Sequence, residues 1–596
     1  MLTFNPTLRL VETSEDVEAF QEWVWEASRS GRRSVSVDTE TTGLQWWTQD
    51  FARLVQFGTS KEGWSIEVRR WGGLVEEALR CFAEAGTMLY AHNAKFDAHA
   101  LEELVRHPLP EGQRVIDLLH DTMLMHHVLD PPASHALKAL AKDIVGDAAD
   151  VGQQVLKKEM AQHRWTWATV PTDTPSYWTY GAADTCLTAA AAFSLRSGLK
   201  AAALTDAYEI ERRAQVILYG CEERGLRVDS KQAARQLRKY GQEAEGLLAA
   251  LQEQGIDNPL SNPQVAAALR SRDWVPNEFT PGGQPKLDKQ VLGDLAERYA
   301  EIVPLLTRYK QITKWSGTYL KPFIEGNGRV HPSIRTLGAR TGRMSIADPP
   351  LQQLPRAADI RNCVLPYSDN ERLWAIDYDA QELRVLAHFS NEQGLLDAIR
   401  TGQDMHRYVA SLVYNVPVDE VTPAQRQITK SVQYGLIYGA GPAKLAETSG
   451  TSEQEVSAFL NRYDAEFPGV RRFMREIEDI GRSRQASAEA RPYVKSLNGR
   501  PLPCDPDKVY TLVNFLIQGT CADVLKNKLI LLAEQGLDKH IVLPVHDELL
   551  LSLPKGAEGA DLASQIRATL EDHTTFQVPL TCEVTGPMKN WGEKYA

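Results

Sequence analysis

The sequence contains few cysteines, and they follow no pairing pattern. Seven cysteines are scattered along 596 residues, and no two of them form a Cys-x-x-Cys pair. An odd number of scattered cysteines is typical of a reducing compartment rather than of a disulfide-stabilised secreted domain. The missing Cys-x-x-Cys pair also argues against a structural zinc site.

Long hydrophobic runs are missing as well. No stretch approaches the roughly 18 consecutive apolar residues that a membrane-spanning helix requires. The N-terminal segment lacks a basic start, an apolar core and a small-residue cleavage site, and it is too acidic for a transit peptide. We therefore expect a cytoplasmic protein without a membrane partner.

An excess of positive charge is the third missing feature. Lys and Arg number 66 against 78 Asp and Glu, which gives a net charge of −12. This balance argues against nucleic-acid binding by bulk charge, although it leaves room for a local basic cleft. The composition, 43% hydrophobic and 24% charged, is typical of a soluble globular enzyme, and 596 residues predict about four domains.

The N-terminal third of the sequence predicts a mixed α/β domain. Residues 34–37 alternate polar and apolar side chains, as a half-buried strand does. Residues 53–58 and 64–68 flank a Lys-Glu-Gly turn and predict a hairpin, and residues 87–90 predict a fourth strand. The rest of this region, to about residue 200, is rich in helix signals.

The remainder of the sequence predicts a helical region followed by a second mixed region. Helical apolar spacing predicts helices over 206–224 and 230–254. Short apolar runs predict strands at 373–376 and 541–543, on either side of a helical stretch over 401–490.

Two carboxylates lie at the end of the first predicted strand. Alternation along a strand places Asp38 and Glu40 on the same face. Carboxylates this close repel each other unless a cation lies between them, and oxygen ligands favour Mg²⁺ or Mn²⁺. Taken alone, an Asp-x-Glu pair is more often a solvated strand end.

Further along the chain, acidic and aromatic residues extend this pattern. Asp97 stands early on a predicted helix, and Tyr180 and Asp184 share a helix face because they are four residues apart. Each piece alone is equally typical of a core aromatic ring or a solvated carboxylate. In this order they resemble the three motifs of the 3′–5′ proofreading exonuclease superfamily, over roughly residues 30–195.

The resemblance implies a two-metal nuclease that acts on a single-stranded DNA end. Two Mg²⁺ ions, for which Mn²⁺ can substitute, would be bound by four carboxylates: Asp38, Glu40, Asp97 and Asp184. Tyr180 would be a catalytic residue that orients the attacking water. Asp121, between the second and third motifs, is interpreted as structural.

Acidic residues also end two of the predicted strands beyond residue 335. Asp377 ends one apolar strand, and Glu382 follows near the start of a helix. Asp547 and Glu548 stand between two apolar runs. Buried strands rarely present paired acids, because unpaired buried charge is costly, so a metal site is the functional interpretation. For Glu382 the alternative is a carboxylate that interacts with the helix dipole.

Cationic and aromatic residues form a second pattern in this half of the sequence. Arg426, Lys430, Tyr434 and Tyr438 are spaced by four and would form one stripe on a helix. Two cations and two rings on one face suit a nucleoside triphosphate, although an amphipathic helix with solvated cations has the same spacing. Arg343 lies in a Thr-Gly-Arg loop, which alone is more typical of an exposed arginine.

In this order, these signatures resemble family-A DNA polymerases, the bacterial DNA polymerase I type, over roughly residues 205–596. The resemblance implies a multidomain α/β and α+β fold, in which a ribonuclease H-like exonuclease domain precedes a right-hand polymerase. The implied domains are an exonuclease domain (1–204), a thumb (205–335), a first palm segment (336–400), fingers (401–490) and a second palm segment (491–596).

The implied activity is template-directed addition of deoxynucleoside triphosphates to a primer–template DNA. Asp377 and Asp547 would bind two Mg²⁺ ions, and Glu548 would support these ligands. The incoming nucleotide would meet a set of five residues: Arg426 and catalytic Lys430 at the phosphates, Tyr434 at the sugar, Glu382 against a 2′-hydroxyl, and Tyr438 near the templating base. Primer–template contacts would come from Arg343, Asn514, Gln518 and His546.

The sequence departs from this family at residues 379–381, where Asp-Ala-Gln replaces Ser-Gln-Ile. Asp379 could shift metal affinity or point away from the metals. The 5′-nuclease region of typical bacterial members is also missing, which resembles phage replicative polymerases. We therefore expect a role in DNA replication in a bacterial host cytoplasm, with accessory replication proteins as further candidate partners. The alternative is a DNA-binding exonuclease whose polymerase half is impaired.

Overall fold

The computed structural model describes residues 4–29, 34–48, 50–356, 358–486 and 491–595. Within these ranges no helix is both long and apolar enough to cross a membrane. Two larger sheets organise the chain, one near each end of the sequence, and a helical region connects them.

The N-terminal sheet contains mixed parallel and antiparallel strands. Its strands are β1 (Thr7–Leu10), β2 (Val35–Thr41), β3 (Ala52–Gly58), β4 (Glu62–Glu67), β5 (Leu89–Ala91) and β6 (Leu119–Asp121). They lie in the order β1-β4-β3-β2-β5-β6, with the β2–β3–β4 pairs antiparallel and the other pairs parallel. The predicted strands and hairpin are confirmed, whereas β1 and β6 were not predicted.

Helices cover this sheet. They are α1 (Ser14–Arg29), α2 (Val68–Glu84), α3 (Ala94–Glu102), α4 (Val115–Leu118), α5 (Thr122–Leu129), α6 (Leu137–Val145), α7 (Val151–His163) and α8 (Pro175–Ala201). Helix α8 lies close against the central strands because Gly63 has no side chain; a Cβ there would lie 2.3 Å from the carbonyl oxygen of Ala182. This close packing brings Tyr180 and Asp184 over β2.

The connecting region is mostly helical, as predicted. Its helices are α9 (Thr205–Arg224), α10 (Ser230–Glu253), α11 (Asn262–Arg270), α12 (Lys289–Leu295), α13 (Val303–Trp315), α14 (Lys321–Glu325) and α15 (Ala358–Arg361). Its short strands are β7 (Leu226–Arg227), β8 (Arg329–Val330), β9 (Ser333–Arg335) and β10 (Ser345–Ala347). Helices α10 and α13 pack along each other, and α11 to α13 enclose a separate apolar core around Trp274.

The C-terminal region combines the second larger sheet with a group of helices. Its strands are β11 (Glu371–Tyr378), β12 (Tyr493–Lys495), β13 (Pro501–Pro503), β14 (Ile541–Val545), β15 (Glu548–Pro554) and β16 (Cys582–Met588). Its helices are α16 (Gln381–Ser390), α17 (Gln393–Arg400), α18 (Met405–Tyr414), α19 (Pro423–Ile437), α20 (Pro442–Ser449), α21 (Glu453–Glu466), α22 (Pro468–Ala486), α23 (Leu512–Glu534) and α24 (Ala557–Leu570).

The second sheet joins segments that are far apart in sequence. Its order is β14-β15-β11-β16, and each neighbouring pair is antiparallel. The strands predicted at 373–376 and 541–543 are confirmed as parts of β11 and β14, whereas β16 was not predicted. The register places Asp377 directly opposite Glu548.

A buried network of ion pairs joins the two halves of the chain. The side chains of Glu211 on α9, Asp523 and Lys526 on α23, and Arg500 are at most 3% exposed. Lys526 Nζ lies 2.6 Å from a Glu211 carboxylate oxygen, and Arg500 lies 3.3 Å from both Glu211 and Asp523. Lys526 also donates to the carbonyl oxygen of Gly342 at 2.8 Å, so the network holds the loop that carries the next residue, Arg343.

Removing one cation from this network should destabilise the folded chain strongly. Lys526→Met leaves Glu211 buried with Arg500 alone, and breaking a buried pair costs about 3–5 kcal/mol. The free energy of unfolding, measured by urea denaturation, should fall by that amount. Glu211→Gln combined with Lys526→Met should lose less, and Lys200→Met, at an exposed lysine, should change it by less than about 0.5 kcal/mol. A loss no larger for Lys526→Met than for Lys200→Met would contradict the assigned network.

Candidate active sites

The N-terminal carboxylates converge from three elements. Strand β2 carries Asp38 and Glu40, α3 carries Asp97, and α8 carries Asp184. The hydroxyl of Thr39, which lies between the two strand carboxylates, donates to Asp97 Oδ1 at 2.8 Å. The structure therefore brings together the four carboxylates that the sequence predicted.

Burial and mutual repulsion shape the charge of this cluster. Burial, followed by the nearby charge of Asp184, raises the pKa of Asp38 to about 7. Burial and then Asp38 raise the pKa values of Glu40 and Asp97 well above their ordinary range. These crowded, buried carboxyl groups therefore resist ionisation. A divalent cation bound among them would favour their ionised forms, so the cluster fits such a cation.

The carboxylate oxygens of this cluster also fit a metal ion that takes some of its ligands from water and substrate. Within the described residues, no three His, Cys, Asp or Glu side chains are arranged so that they could hold a metal ion by themselves. Mg²⁺ usually takes one or two protein carboxylates and completes its shell with water and substrate phosphate. An open cluster of carboxylates is therefore compatible with a substrate-bridged site.

Two neighbours of this carboxylate cluster, a cationic lysine and a neutral tyrosine, differ in charge. Lys138 on α6, which the sequence did not single out, contacts Asp184 Oδ1, and its ammonium lies 5.0 Å from the centre of the Tyr180 ring. Burial and then the charge of Asp184 raise the pKa of Tyr180, so its phenol stays protonated. Tyr180 can therefore offer a hydroxyl proton as a hydrogen-bond donor beside the carboxylates.

Asp121 is used structurally, as predicted. It is fully buried, and its carboxylate accepts hydrogen bonds from the backbone of Asn93 and Ala94 at 3.1 and 3.0 Å. It also accepts from the Gln215 side chain at 2.7 Å and caps the start of α5. These bonds position the loop before α3, and with it Asp97.

The second cluster lies on the C-terminal sheet. Asp377 is near the end of β11, and Asp547 lies in the two-residue turn between β14 and β15. His546 begins this turn in the left-handed conformation, with φ of 59°. Burial, followed by the charge of Asp377, raises the pKa of Asp547 to about 6. The turn thus brings Asp547 beside Asp377, as predicted, in a second cluster of oxygen ligands that fits a divalent cation.

A lysine that the sequence did not identify enters this second cluster. Lys594 Nζ lies 2.6 Å from Glu548 Oε2 and 3.4 Å from Asp377 Oδ2. Glu548 is buried beside Asp377, whereas Asp377 itself is 39% exposed at its side chain. No local spacing signals this contact, because Lys594 is 217 residues from Asp377 along the chain.

Glu382 contacts two residues for which the sequence predicted other roles: Arg343 at the primer–template and Tyr438 near the templating base. Its buried carboxylate contacts the Arg343 guanidinium and accepts a hydrogen bond from the Tyr438 hydroxyl at 3.2 Å. Two residues from separate segments, Arg343 and Tyr438, therefore meet at the carboxylate of Glu382.

Asp379 points away from the Asp377–Asp547 cluster. Its carboxylate accepts from the Thr581 hydroxyl at 2.8 Å, and its backbone pairs with Thr581 as well. Of the two interpretations of this departure from the family pattern, the structure favours an acid that points away.

The helix α19 carries the cationic pattern, with one difference from the prediction. Arg426, Lys430 and Tyr434 lie on α19, but the helix ends at Ile437 and Tyr438 follows it. The helix stops because Gly439 adopts a left-handed conformation, with φ of 74°, as residues just beyond helix ends often do. Tyr438 therefore leaves the predicted stripe and reaches Glu382 instead.

The cations of α19 have different surroundings. Arg426 Nε lies 2.8 Å from Asp404, which caps the start of α18, and Lys430 is exposed. Tyr434 is half-buried, with its ring centre 5.9 Å from that of buried His406. Asp404 and His406 were not singled out from the sequence, and only the packing of α18 against α19 reveals them.

The four predicted DNA contacts come from three elements. Arg343 and His546 line one small cavity with Asp547. Asn514 and Gln518 are four residues apart and half-buried on α23, and Asn514 Oδ1 has no hydrogen-bond partner within the described structure. Gln381, the last residue of the Asp-Ala-Gln departure from the family pattern, also lines the cavity.

Replacing Asp547 should stabilise the folded chain in EDTA. Its folded pKa of about 6 exceeds the ordinary value of 3.8, so ionisation disfavours the folded state. The cost grows as pH rises from about 4 to about 6 and is complete above that. Asp547→Asn should raise the free energy of unfolding near pH 8 by about 2–3 kcal/mol, with little effect near pH 4, measured by urea denaturation. Equal stability of the two proteins near pH 8 would contradict this.

Family models match both halves of the chain. A model described as DNA polymerase family A matches residues 226–593, and a model described as 3′–5′ exonuclease matches residues 8–200. The DNA polymerase of Mycobacterium phage D29 is 28% identical over 613 residues, which cover 99% of this chain and 97% of that protein. The DNA polymerase of Mycobacterium phage L5 is 29% identical over 609 residues, which cover 99% of this chain and 97% of that protein.

Bacterial and solved relatives extend the comparison. DNA polymerase I of Pseudomonas aeruginosa is 32% identical over 80% of this chain, which spans only 54% of that protein. A solved structure described as the POL domain of Pol1 from M. smegmatis, in complex with DNA primer-template and dNTP, shares the fold. It has a TM-score of 0.77 and 24% identity, with 98% of this chain and 99% of that chain covered. The chain belongs to DNA polymerase family A, with a 3′–5′ exonuclease domain ahead of the polymerase domain.

Proposed function

We propose that the polymerase domain extends the 3′ end of a primer on template DNA, using deoxynucleoside triphosphates, and that the exonuclease domain removes mispaired terminal nucleotides. The observation that carries this proposal is the presence of two separate carboxylate clusters, each assembled from distant segments. One cluster lies on each larger sheet, so the two reactions have separate sites.

Each cluster would hold Mg²⁺, with Mn²⁺ as a substitute. Asp377 and Asp547 would be the ligands in the polymerase domain; Asp38, Glu40, Asp97 and Asp184 would be the ligands in the exonuclease domain. When bound, the metal would supply the positive charge that activates a hydroxyl or water and stabilises the leaving oxygen. Oxygen-only ligands support this metal choice.

The helix α19 would bind the triphosphate. Lys430 is exposed on the same helix as Arg426, so both cations can reach phosphate oxygens. Arg426 would replace its contact with Asp404 by a contact with the phosphate. Lys430 would also donate a proton to the leaving pyrophosphate. Tyr434, one turn further along α19, would pack on the sugar of the nucleotide.

Glu382 would exclude ribonucleotides. A buried carboxylate that is held from both sides by Arg343 and Tyr438 has little freedom to move away from a 2′-hydroxyl. Tyr438 would lie near the templating base. The fixed position of Glu382 is what supports its role in selecting deoxynucleotides.

Contacts to the primer–template would come from four residues. Asn514 has an unpartnered oxygen on α23, and Gln518 lies one turn further along the same helix. Arg343 and His546 lie at the cavity beside Asp547. These donors and acceptors suit contact with minor-groove atoms, which distinguish base pairs poorly and therefore suit sequence-independent synthesis. Glu548 would support the metal ligands rather than bind metal itself.

In the exonuclease domain, Tyr180 would orient the attacking water. Its protonated hydroxyl lies on the same helix as Asp184, one turn earlier, which supports a donor role beside the ligands. We place the domain boundaries at the limits that the resemblance implies: exonuclease 1–204, thumb 205–335, palm 336–400 and 491–596, and fingers 401–490. The proposed setting is DNA replication in a host cytoplasm, where accessory replication proteins are candidate partners.

Two substitutions should separate the activities. Asp547→Ala removes a ligand of the polymerase cluster and should lower primer extension at least about a hundredfold. Asp97→Ala removes a ligand of the exonuclease cluster and should lower primer shortening by a similar factor. Each variant should keep the other activity within about twofold. The measurement is a 5′-labelled primer on a longer template with Mg²⁺, with and without the four deoxynucleotides. Extension should be lost only in the first variant and shortening only in the second. Loss of both activities in either variant would overturn the assignment of two sites.

Tyr434 should make the polymerase accept chain terminators readily. Its hydroxyl can donate to the triphosphate where a dideoxynucleotide lacks its own 3′-hydroxyl, and a hydrogen bond to a charged group contributes about 1.5–3 kcal/mol. Tyr434→Phe in an Asp97→Ala background should therefore lower dideoxynucleotide incorporation about tenfold to hundredfold. Deoxynucleotide incorporation should change little. Efficient rejection of dideoxynucleotides by the unsubstituted Tyr434 enzyme would contradict this role.

A further inference from the structure

A third carboxylate at the polymerase site, that of Glu548, requires a compensating cation. Glu548 pairs with Asp377 across the β11–β15 ladder, and its side chain is only 8% exposed. A buried carboxylate beside another acid is unfavourable unless a positive group compensates it. Lys594 lies 2.6 Å from Glu548 and 3.4 Å from Asp377, so one ammonium serves two carboxylates.

The backbone that carries Lys594 is anchored in the core. Lys594 lies in the short helical turn Trp591–Tyr595, and the Trp591 side chain is fully buried. The guanidinium of Arg361 lies 4.0 Å from the Trp591 ring and 4.6 Å from the Tyr595 ring, and Trp591 N donates to the carbonyl oxygen of Val364 at 3.1 Å. The side chain of Lys594 is 14% exposed, so this ammonium belongs to a built part of the site.

We propose that Lys594 is a positioning residue of the polymerase site: a resident cation that engages Glu548 and one oxygen of Asp377, and thereby limits the negative charge offered to divalent cations. This inference rests on the polymerase site proposed above. With Lys594 in place, the charges of Asp377, Asp547 and Glu548 are partly balanced. Without it, the site attracts divalent cations more strongly and repels the anionic nucleoside triphosphate.

The two effects have opposite signs, and this distinguishes the proposal from structural damage. Loss of a merely structural contact weakens the binding of metal and of nucleotide together. Loss of a resident cation instead tightens divalent cation binding and weakens nucleotide binding. Arginine at the same position keeps the charge and should preserve both values.

The test compares Lys594→Met, Lys594→Arg and a matched control, Lys589→Met, at an exposed lysine of the same segment. All carry Asp38→Asn and Asp184→Asn, so that Mn²⁺ is measured at the polymerase site. Without DNA, calorimetry should show the Mn²⁺ Kd of Lys594→Met about threefold to tenfold lower. The KM for deoxynucleotides should rise by a similar factor, while both values for the Arg variant and the control stay within about twofold. Unchanged or weaker Mn²⁺ binding by folded Lys594→Met would overturn the proposal.

A charge-compensated variant covers the case in which Lys594→Met folds poorly. Glu548→Gln combined with Lys594→Met removes both members of the buried pair, so the net charge of the site is unchanged. Its Mn²⁺ Kd should return to within about twofold of the parent value, and an Mn²⁺ Kd outside that range would overturn the proposal. Primer extension by the parent is measured in the same buffer. Failure of extension there would refute the proposed function, whereas the Mn²⁺ comparison decides the role of Lys594.

Discussion

The organisation of this polymerase depends on repulsion between carboxylates that are crowded at two buried or half-buried places. Charges of the same sign at short distance are tolerated only where a rigid scaffold holds them and a cation compensates them. In each cluster the described structure supplies one lysine, Lys138 at Asp184 and Lys594 at Glu548 and Asp377. The remaining negative charge is what makes each cluster suitable for a divalent metal.

Helix α9 links the scaffolds of the two clusters. Near its start, Glu211 binds the buried cations Arg500 and Lys526, which hold the loop before Arg343. Near its end, Glu222 lies 2.5 Å from Lys95 and 3.0 Å from His99. Lys95 and His99 flank Asp97 on α3, so one helix braces both the helix that carries Asp97 and the loop that carries Arg343. The same helix therefore connects the two carboxylate clusters through buried charges.

The sequence predicted the central elements of both sites because local rules govern them. Alternation along β2 places Asp38 and Glu40 together, and apolar runs on both sides of Asp547 predict a hairpin. Prediction failed where the local signal was short or absent. Strands β1 and β16 are at the edges of their sheets, and Tyr438 left the helical stripe because a left-handed glycine follows it.

The sequence alone determined which residues could act as ligands, which halves of the chain carry them and which family the motifs resemble. Spacing of two or four residues predicts which side chains share a face. Tertiary structure alone decided which cations compensate these ligands, because Lys138 is 46 residues from Asp184, and Lys594 is 217 residues from Asp377. It also decided that Asp379 points to Thr581, 202 residues away. The physical reason is that ion pairs and hydrogen bonds depend on distance in space, which no local periodicity encodes.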